Sequence, residues 1–340
     1  MTLDGLGALG SFALLGPGFA GGAWRLVAPL APCGTDRPRV VFCAFEDRGA
    51  DAVRVGGPVH ELPRDFVTGL AGDARAEVPA LRALHARLDD GGHAEAVQTI
   101  RAAIADGDVY QVNLTLRATL ARCDGATLLR ALSRHGVPRF GAWVRLPDGR
   151  EFVSASPELL FACAGPAVRA EPMKGTAPPG AERRLLASAK DAAELAMITD
   201  LVRNDLWPVC EPGSVHVACA RRLRALPYAL QAVSDVRGTL RAGVLPEDVL
   251  AALHPGGSVT GAPKNAALAR IRALERTPRG AYCGALGWCD GRYAVFGLLI
   301  RTAERTADGS WTFGVGGGIV YDSDPAAELE EVRLKLQALP

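Results

Sequence analysis

Residues 141–162 read GAWVRLPDGREFVSASPELLFA: two apolar runs of strand length on either side of Pro147-Asp148-Gly149. Valine, tryptophan and phenylalanine suit a pleated backbone, and Pro-Asp-Gly is turn chemistry, so the stretch predicts an antiparallel hairpin. VYQVNLTLRATL (109–120), WRLVAPL (24–30) and PRVVFCAF (38–45) also read as strands, punctuated by Gly, Pro and Asp. HAEAVQTIRAAIADGD (93–108) has apolar residues at helical spacing and ends at a glycine. The longest helical stretch is AERRLLASAKDAAELAMITDLVRNDLWPVC (181–210), and residues 246–257 and 262–277 supply two more helices. The tail runs strand (282–304), strand (310–324), helix (325–338). Strands and helices mix without a βαβ cadence, which predicts an α+β fold with two large antiparallel β-sheets and helices packed in layers. A short β-rich region, 1–90, is expected to be integrated into the fold of a main domain, 91–340. The opening MTLDGLGALGSFALLGPGFAGG is read as a first strand and turn; it has no basic leader, and its glycines and Pro17 interrupt any membrane span.

With 340 residues and 49% hydrophobic content, the chain can bury a sizeable core. Its formal charge is +1 with no basic block, which argues against nucleic acid as a partner. The eight cysteines form no CxxC pair and no finger-like spacing, so reduced, mostly buried thiols in a cytoplasmic protein are expected. Only four of the 38 basic residues are lysine: Lys174, Lys190, Lys264 and Lys335. In a chain that prefers arginine, the remaining lysines are enriched for positions that need a compact or deprotonatable amine. Lys174 stands out, set among Pro, Met and Gly in AEPMKGTAPPG (170–180).

Four motifs carry candidate chemistry. HPGGSVTGAPKNAALARI (254–271) is a Gly-rich loop feeding a helix that opens at Ala262-Pro263, an arrangement suited to a carboxylate and one that lacks the Lys-Ser/Thr of a phosphate loop. DSDPAAELEEVRLKLQ (322–337) offers Asp324 or Ser323 as a helix cap, with Pro325 next. On that helix Glu328, Glu331 and Lys335 form one stripe, and Leu329, Val332 and Leu336 the opposite, apolar one. Spacing alone fits a solvated face equally well. Glu194 shares a helix face with Met197, Ile198 and Leu201 and needs an edge position or a compensating cation. Glu158 lies sixteen positions before Lys174, so the two could form a catalytic pair or a surface contact.

Together DVYQVNLTLR, SASPELLF, PMKGTAPP, DLVRND, PGGSVTGAPK, YCGALGW, IRT and GVGGGIVYDSDPAAELEEV resemble the chorismate-utilising enzymes: the anthranilate and aminodeoxychorismate synthase components I and the isochorismate and salicylate synthases. The segments fall in that family's order over residues 93–337. The resemblance implies Mg²⁺ held by Glu194 and Glu331 with Glu328 close by. It implies Gly175, Thr176, Gly316, Gly317 and Lys335 around the ring carboxylate, Thr260 as a further substrate contact, and Tyr282 and Arg301 at the enolpyruvyl carboxylate. Isochorismate and salicylate synthases carry a water-activating lysine where Gln111 stands, and anthranilate synthases typically carry alanine where Lys174 stands. Gln111 with Lys174 therefore implies the aminodeoxychorismate branch, with Lys174 as nucleophile and Glu158 as general acid/base. A buried lysine can shed its proton, whereas arginine cannot.

The chain departs from the pattern at Gln231, where the family often has histidine, and at VFGLLIRT in place of DFNxAIRT. The missing histidine disfavours an anthranilate product, and the missing LLES-type motif implies no tryptophan feedback site. Without a GxCxG elbow, ammonia is expected from a separate glutamine amidotransferase subunit or from free ammonium. Two alternatives stay open: an anthranilate or 2-amino-2-deoxyisochorismate synthase on the same scaffold, and a non-catalytic binding or assembly subunit. Lys264 matches the family's GAPK and could serve either catalysis or structure.

Overall fold

The hairpin forms, but its third leg leaves the sheet. The computed structural model describes residues 3–19, 22–62, 87–89, 92–226 and 229–337. In chain order the elements are α1 (Leu3–Leu6), β1 (Phe12–Leu15), β2 (Trp24–Val27), β3 (Ala31–Pro32), β4 (Arg39–Cys43), β5 (Val53–Gly56), β6 (Val59–Leu62), β7 (Arg87–Asp89), α2 (His93–Ala105), β8 (Gln111–Leu120) and α3 (Gly125–Ser133). Then come β9 (Phe140–Arg145), β10 (Glu151–Ser156), β11 (Leu159–Ala164), β12 (Ala167–Ala170), β13 (Met173–Ala177), α4 (Glu182–Ala187), α5 (Ala189–Leu206), β14 (His216–Ala225) and β15 (Leu230–Thr239). The chain closes with α6 (Pro246–Leu253), α7 (Gly257–Thr260), β16 (Gly261–Ala262), α8 (Lys264–Leu274), β17 (Ala285–Asp290), β18 (Tyr293–Leu298), β19 (Thr302–Arg305), β20 (Trp311–Ile319) and α9 (Pro325–Gln337).

Among the described residues there are two ten-stranded sheets. The first runs β16-β8-β20-β19-β10-β9-β1-β2-β6, with β7 also on β8. The second runs β13-β15-β12-β11-β18-β17-β4-β5-β3, with β14 also on β15. The registered pairs are antiparallel, as the sequence predicts. Both faces of the central strands are covered, which is why they read as continuous apolar runs. In β4, Val40 and Phe42 enter the core between the sheets, while Val41 and Cys43 enter the core beneath the helices. In β1, Ala13 and Leu15 face the inter-sheet core and Phe12 and Leu14 face the layer that holds α1 and α3. Phe42 and Phe152 stack across the inter-sheet core with centroids 4.8 Å apart.

Several local expectations need correction. The N-terminal segment does hold a first strand, β1, but opens on one helical turn before it, with Leu3 and Leu6 both buried. The long helix divides at Ser188, whose extended backbone (φ −68°, ψ 109°) ends α4 and whose hydroxyl accepts from the Asp191 amide to start α5. The Gly-rich loop does not run straight into a helix. Gly257–Thr260 make a short helical turn, Gly261–Ala262 pair with Val112 and Gln111, and the helix begins at Lys264. Finally, β10 lies in the first sheet and β11 in the second, so SASPELLF turns a corner between sheets. The chain makes the reverse passage from β18 to β19, with Arg301 in the connection.

No helix among the described residues is long and apolar enough to cross a membrane. All eight cysteines are unpaired, five of them buried.

Candidate functional site

Glu158 occupies the corner between β10 and β11. Its backbone is tied on both sides: its N–H donates to Ser156 Oγ (3.2 Å) and its carbonyl accepts from the Leu298 amide (3.1 Å). Its side chain is 5% exposed, and Ser258 Oγ donates to its Oε1 at 2.7 Å. Burial pushes this carboxyl up to about 7, against the hydroxyl of Ser258 and the ammonium of Lys174, which favour the anion. A carboxyl held near neutrality is suited to both donating and accepting a proton.

Lys174 is aimed by a bulge in β13. Lys174 lies opposite Ala232 and Thr176 opposite Gln231, two consecutive residues of β15, with the irregularity at Gly175 (φ 81°) between them. The two side chains therefore leave on opposite faces. Lys174 goes toward α5, where its Nζ stands 3.7 Å from Glu194 Oε2. Thr176 goes the other way and its hydroxyl accepts from Gln231 Nε2 (3.0 Å). Desolvation pulls the Lys174 amine below its ordinary range; Glu194 opposes that pull and the Lys335 ammonium adds to it.

Gln111, the first residue of β8, is fully buried, and neither atom of its amide finds a hydrogen-bond partner among the described residues. It meets Lys174 over Gly318. A Cβ on Gly318 would lie 2.5 Å from Gln111 Nε2 and 3.0 Å from Lys174 Nζ, so the absent side chain lets the two approach. The sequence reading named Gly316 and Gly317 and missed Gly318. Gly316 abuts the β8 backbone at Leu114 and Thr115, whereas Gly317 points toward α9.

Around the space at Gly317 stand Glu328 Oε2, Lys335 Nζ and Glu331 Oε1, each within 4 Å of where its Cβ would be. Helix α9 is set by Asp324, which accepts from the Ala327 amide (2.9 Å), and by Val332 and Leu336 buried beneath it. Ser323 has a different task from the cap: its hydroxyl donates to Glu328 Oε1 (2.6 Å). Lys335 Nζ bonds Glu331 Oε1 (2.7 Å) and the Gly316 carbonyl (2.8 Å). Desolvation raises Glu331, but Lys335, Lys190 and Lys174 together hold it below the usual carboxylate range.

The donor chemistry at Gly317 fits Mg²⁺, which takes one or two carboxylates and keeps its waters. The expected trio is divided, however. Glu328 and Glu331 meet at Gly317, while Glu194 pairs with Lys174 and, at 4.0 Å, with Lys190. Among the described residues no three acidic, histidine or cysteine side chains gather closely enough to hold a metal.

The remaining predicted residues make other contacts. Thr260 is buried, and its hydroxyl donates to the Gly256 carbonyl (3.0 Å) within its own turn. Tyr282 is a core residue whose ring fills the space that a side chain at Gly314 would need, and Arg117 lies 5.3 Å above it. Burial drives its phenol well above the ordinary value. Arg301 is half-buried with a left-handed φ of 53°, and its charge, after desolvation and Arg134, helps hold the His135 imidazole low. Lys264 bonds the half-buried Asp205 (2.6 Å) and the Leu253 carbonyl (3.1 Å), contacts that join α5, α6 and α8. A separate cavity of about 180 Å³ lies between α2, β8 and residues 273–277 and contains none of the predicted site residues.

The sequence profile of the family described as chorismate binding enzyme matches residues 69–340. The chain is 38% identical over 283 residues to anthranilate synthase component 1 1 of Haloarcula marismortui, covering 79% of this chain and 57% of that one. It is 38% identical over 290 residues to the aminodeoxychorismate synthase of Streptomyces pristinaespiralis, covering 81% and 39%. The chain thus spans about half the length of these relatives. The menaquinone-specific isochorismate synthase of Escherichia coli has the same fold, with a TM-score of 0.77 at 18% identity over 99% of this chain and 90% of that one.

Proposed function

Because the chain belongs to the chorismate binding enzymes, we propose that it replaces the C4 hydroxyl of chorismate by an amine to give 4-amino-4-deoxychorismate. Relatives of both the anthranilate and the aminodeoxychorismate kind are 38% identical, so overall similarity does not choose the product. The reading rests on one observation: a half-buried lysine amine, lowered in pKa by desolvation, meets Gln111 over Gly318, with a near-neutral Glu158 within its field.

The residues are suited to two displacements. The neutral Lys174 amine adds at ring C2 while the C4–O bond breaks, and Glu158 supplies the proton with which the hydroxyl departs as water. Ammonia then adds at C4 as the C2–N bond breaks, and the electron pair returns to Lys174. The new ammonium gives its extra proton to Glu158, which restores the acid. Gln111 contributes an amide that cannot take a proton from water at C2, so hydration there has no base. Glu328 and Glu331, which meet at Gly317, would hold Mg²⁺, which supplies positive charge to the ring carboxylate when bound, while Glu194 stays paired with Lys174. Ammonia would come from a glutamine amidotransferase subunit or from free ammonium.

The test is a product analysis. The protein is incubated with chorismate, Mg²⁺ and ammonium at high pH, and the products are identified by mass and fluorescence. Aminodeoxychorismate is the expected result; fluorescent anthranilate, isochorismate or no turnover overturns the reading. Lys174→Ala should abolish turnover and any chorismate-derived mass increment on the protein. An intact adduct on that variant removes Lys174 as the nucleophile.

A further inference from the structure

We propose that Ser258 is the positioning residue for the general acid, holding the Glu158 carboxyl in the one orientation from which it serves the departing hydroxyl. The inference rests on the function proposed above and adds a residue to it. The serine sits in the turn of α7, and its Oγ reaches Glu158 Oε1 across 2.7 Å from an element that contributes no other side chain to that carboxyl.

The turn is built to hold this hydroxyl still. A side chain on Gly257 would come within 2.6 Å of Leu201 Cδ2 on α5, and one on Gly256 within 3.1 Å of Leu298 Cδ1 at the end of β18. Thr260 closes the turn onto the Gly256 carbonyl, and Gly261 then packs on the Gln111 carbonyl, where β16 joins β8. The turn is thus pinned to α5, β18 and β8, and Glu158 is pinned at its own corner through Ser156 and Leu298. The two elements, both resting on Leu298, are joined by the side-chain hydrogen bond from Ser258 to Glu158. Without that bond the carboxyl would keep only the Met173 backbone hydrogen bond and the Lys174 charge, and its last torsion, broad for a terminal carboxyl, would be less restricted.

The other groups acting on Glu158 are the Lys174 ammonium from β13 and a backbone hydrogen bond from Met173. Each favours the anion, as Ser258 does. Removing the Ser258 hydroxyl should therefore raise the Glu158 pKa further. The acid form would persist to higher pH, yet turnover would fall because the carboxyl is no longer aimed.

Ser258→Ala is expected to lower kcat by about tenfold with KM changed by less than about twofold, and to move the alkaline limb of the kcat profile up by about one pH unit. Ser258→Thr, which keeps the hydroxyl, should restore both. A second readout is independent of the reaction. With ¹³C-carboxyl glutamate, the Glu158 resonance is assigned by its absence in Glu158→Gln, and its midpoint should rise in Ser258→Ala and return in Ser258→Thr. An unchanged profile and midpoint in Ser258→Ala overturns the proposal, as does a threonine variant that behaves like the alanine one. If wild type makes a different chorismate product, the function proposed above fails, while the carboxyl titration still decides the link between Ser258 and Glu158.

Discussion

At the residue scale, the site depends on what is missing as much as on what is present. Gly316 and Gly318 are two positions apart on β20, yet alanine should act differently at each. At Gly318 the three atoms nearest the new methyl are at side-chain ends, Gln111 Nε2 and Cδ and Lys174 Nζ, which can swing aside. Folding should change little, while the nucleophile is displaced by enough to cost on the order of 100-fold in kcat/KM. At Gly316 the methyl meets the Leu114 carbonyl and the Thr115 backbone, which cannot move without disturbing the β8–β20 ladder. Gly316→Ala should therefore lower Tm sharply. Equal Tm for the two variants, or full activity in Gly318→Ala, contradicts this division. Lys174 was legible in the sequence because lysine is rare in this chain. Gly318 was not, because which of several consecutive glycines faces the lysine depends on the pairing of β20 with β8.

At the scale of elements, α9 is amphipathic with a purpose that its spacing alone left ambiguous. Val332 and Leu336 dock it, and the Glu328–Glu331–Lys335 stripe, which fits a solvated surface equally well, faces the space at Gly317. Ser323 fixes one oxygen of Glu328 from the turn before the helix. Loss of such a support weakens a carboxylate's hold on a metal by about 10- to 100-fold. Ser323→Ala should reduce Mg²⁺ affinity by about tenfold in calorimetric titration and leave the helix cap at Asp324 intact; an unchanged affinity would show that Glu328 is not a ligand or needs no support. Strand positions, the β9–β10 hairpin and the helices at 93–105 and 325–337 were readable from periodicity and turn chemistry. The passage from β10 to β11 between sheets was not, because strands buried on both faces read alike whichever sheet they join. That is why Glu158 reads as a residue on a turn, and why nothing in HPGGSVTGAPK marks Ser258 as its partner. Its significance depends on a contact made across a hundred residues of sequence.

At the scale of the whole molecule, layered burial sets two opposed titrations. Glu158 is raised from an ordinary value of 4.5 to about 7 by burial, so the folded protein keeps a proton that the unfolded chain loses. Stability from this group rises as pH falls from about 7 to 4.5, by about 3 kcal/mol. His254, after α6, donates its imidazole N–H to the Ala44 carbonyl beyond β4 (2.9 Å) and is buried, which lowers it from 6.5 to about 4. Here the unfolded chain takes up the proton first, so stability is lost as pH falls from 6.5 to 4, again by about 3 kcal/mol. Between pH 4.5 and 6.5 the two nearly cancel in the wild type. Glu158→Gln removes one side of the balance and also relieves the cost of a buried anion at high pH. The variant should be more stable than wild type at pH 8, and its advantage should shrink by about 3 kcal/mol by pH 4.5 in urea unfolding. His254→Asn should show the opposite trend, gaining on wild type as the solution is acidified. Parallel stability curves for wild type and Glu158→Gln would mean that the carboxyl is ionised in the folded protein throughout, and would remove the acid on which the proposed chemistry depends.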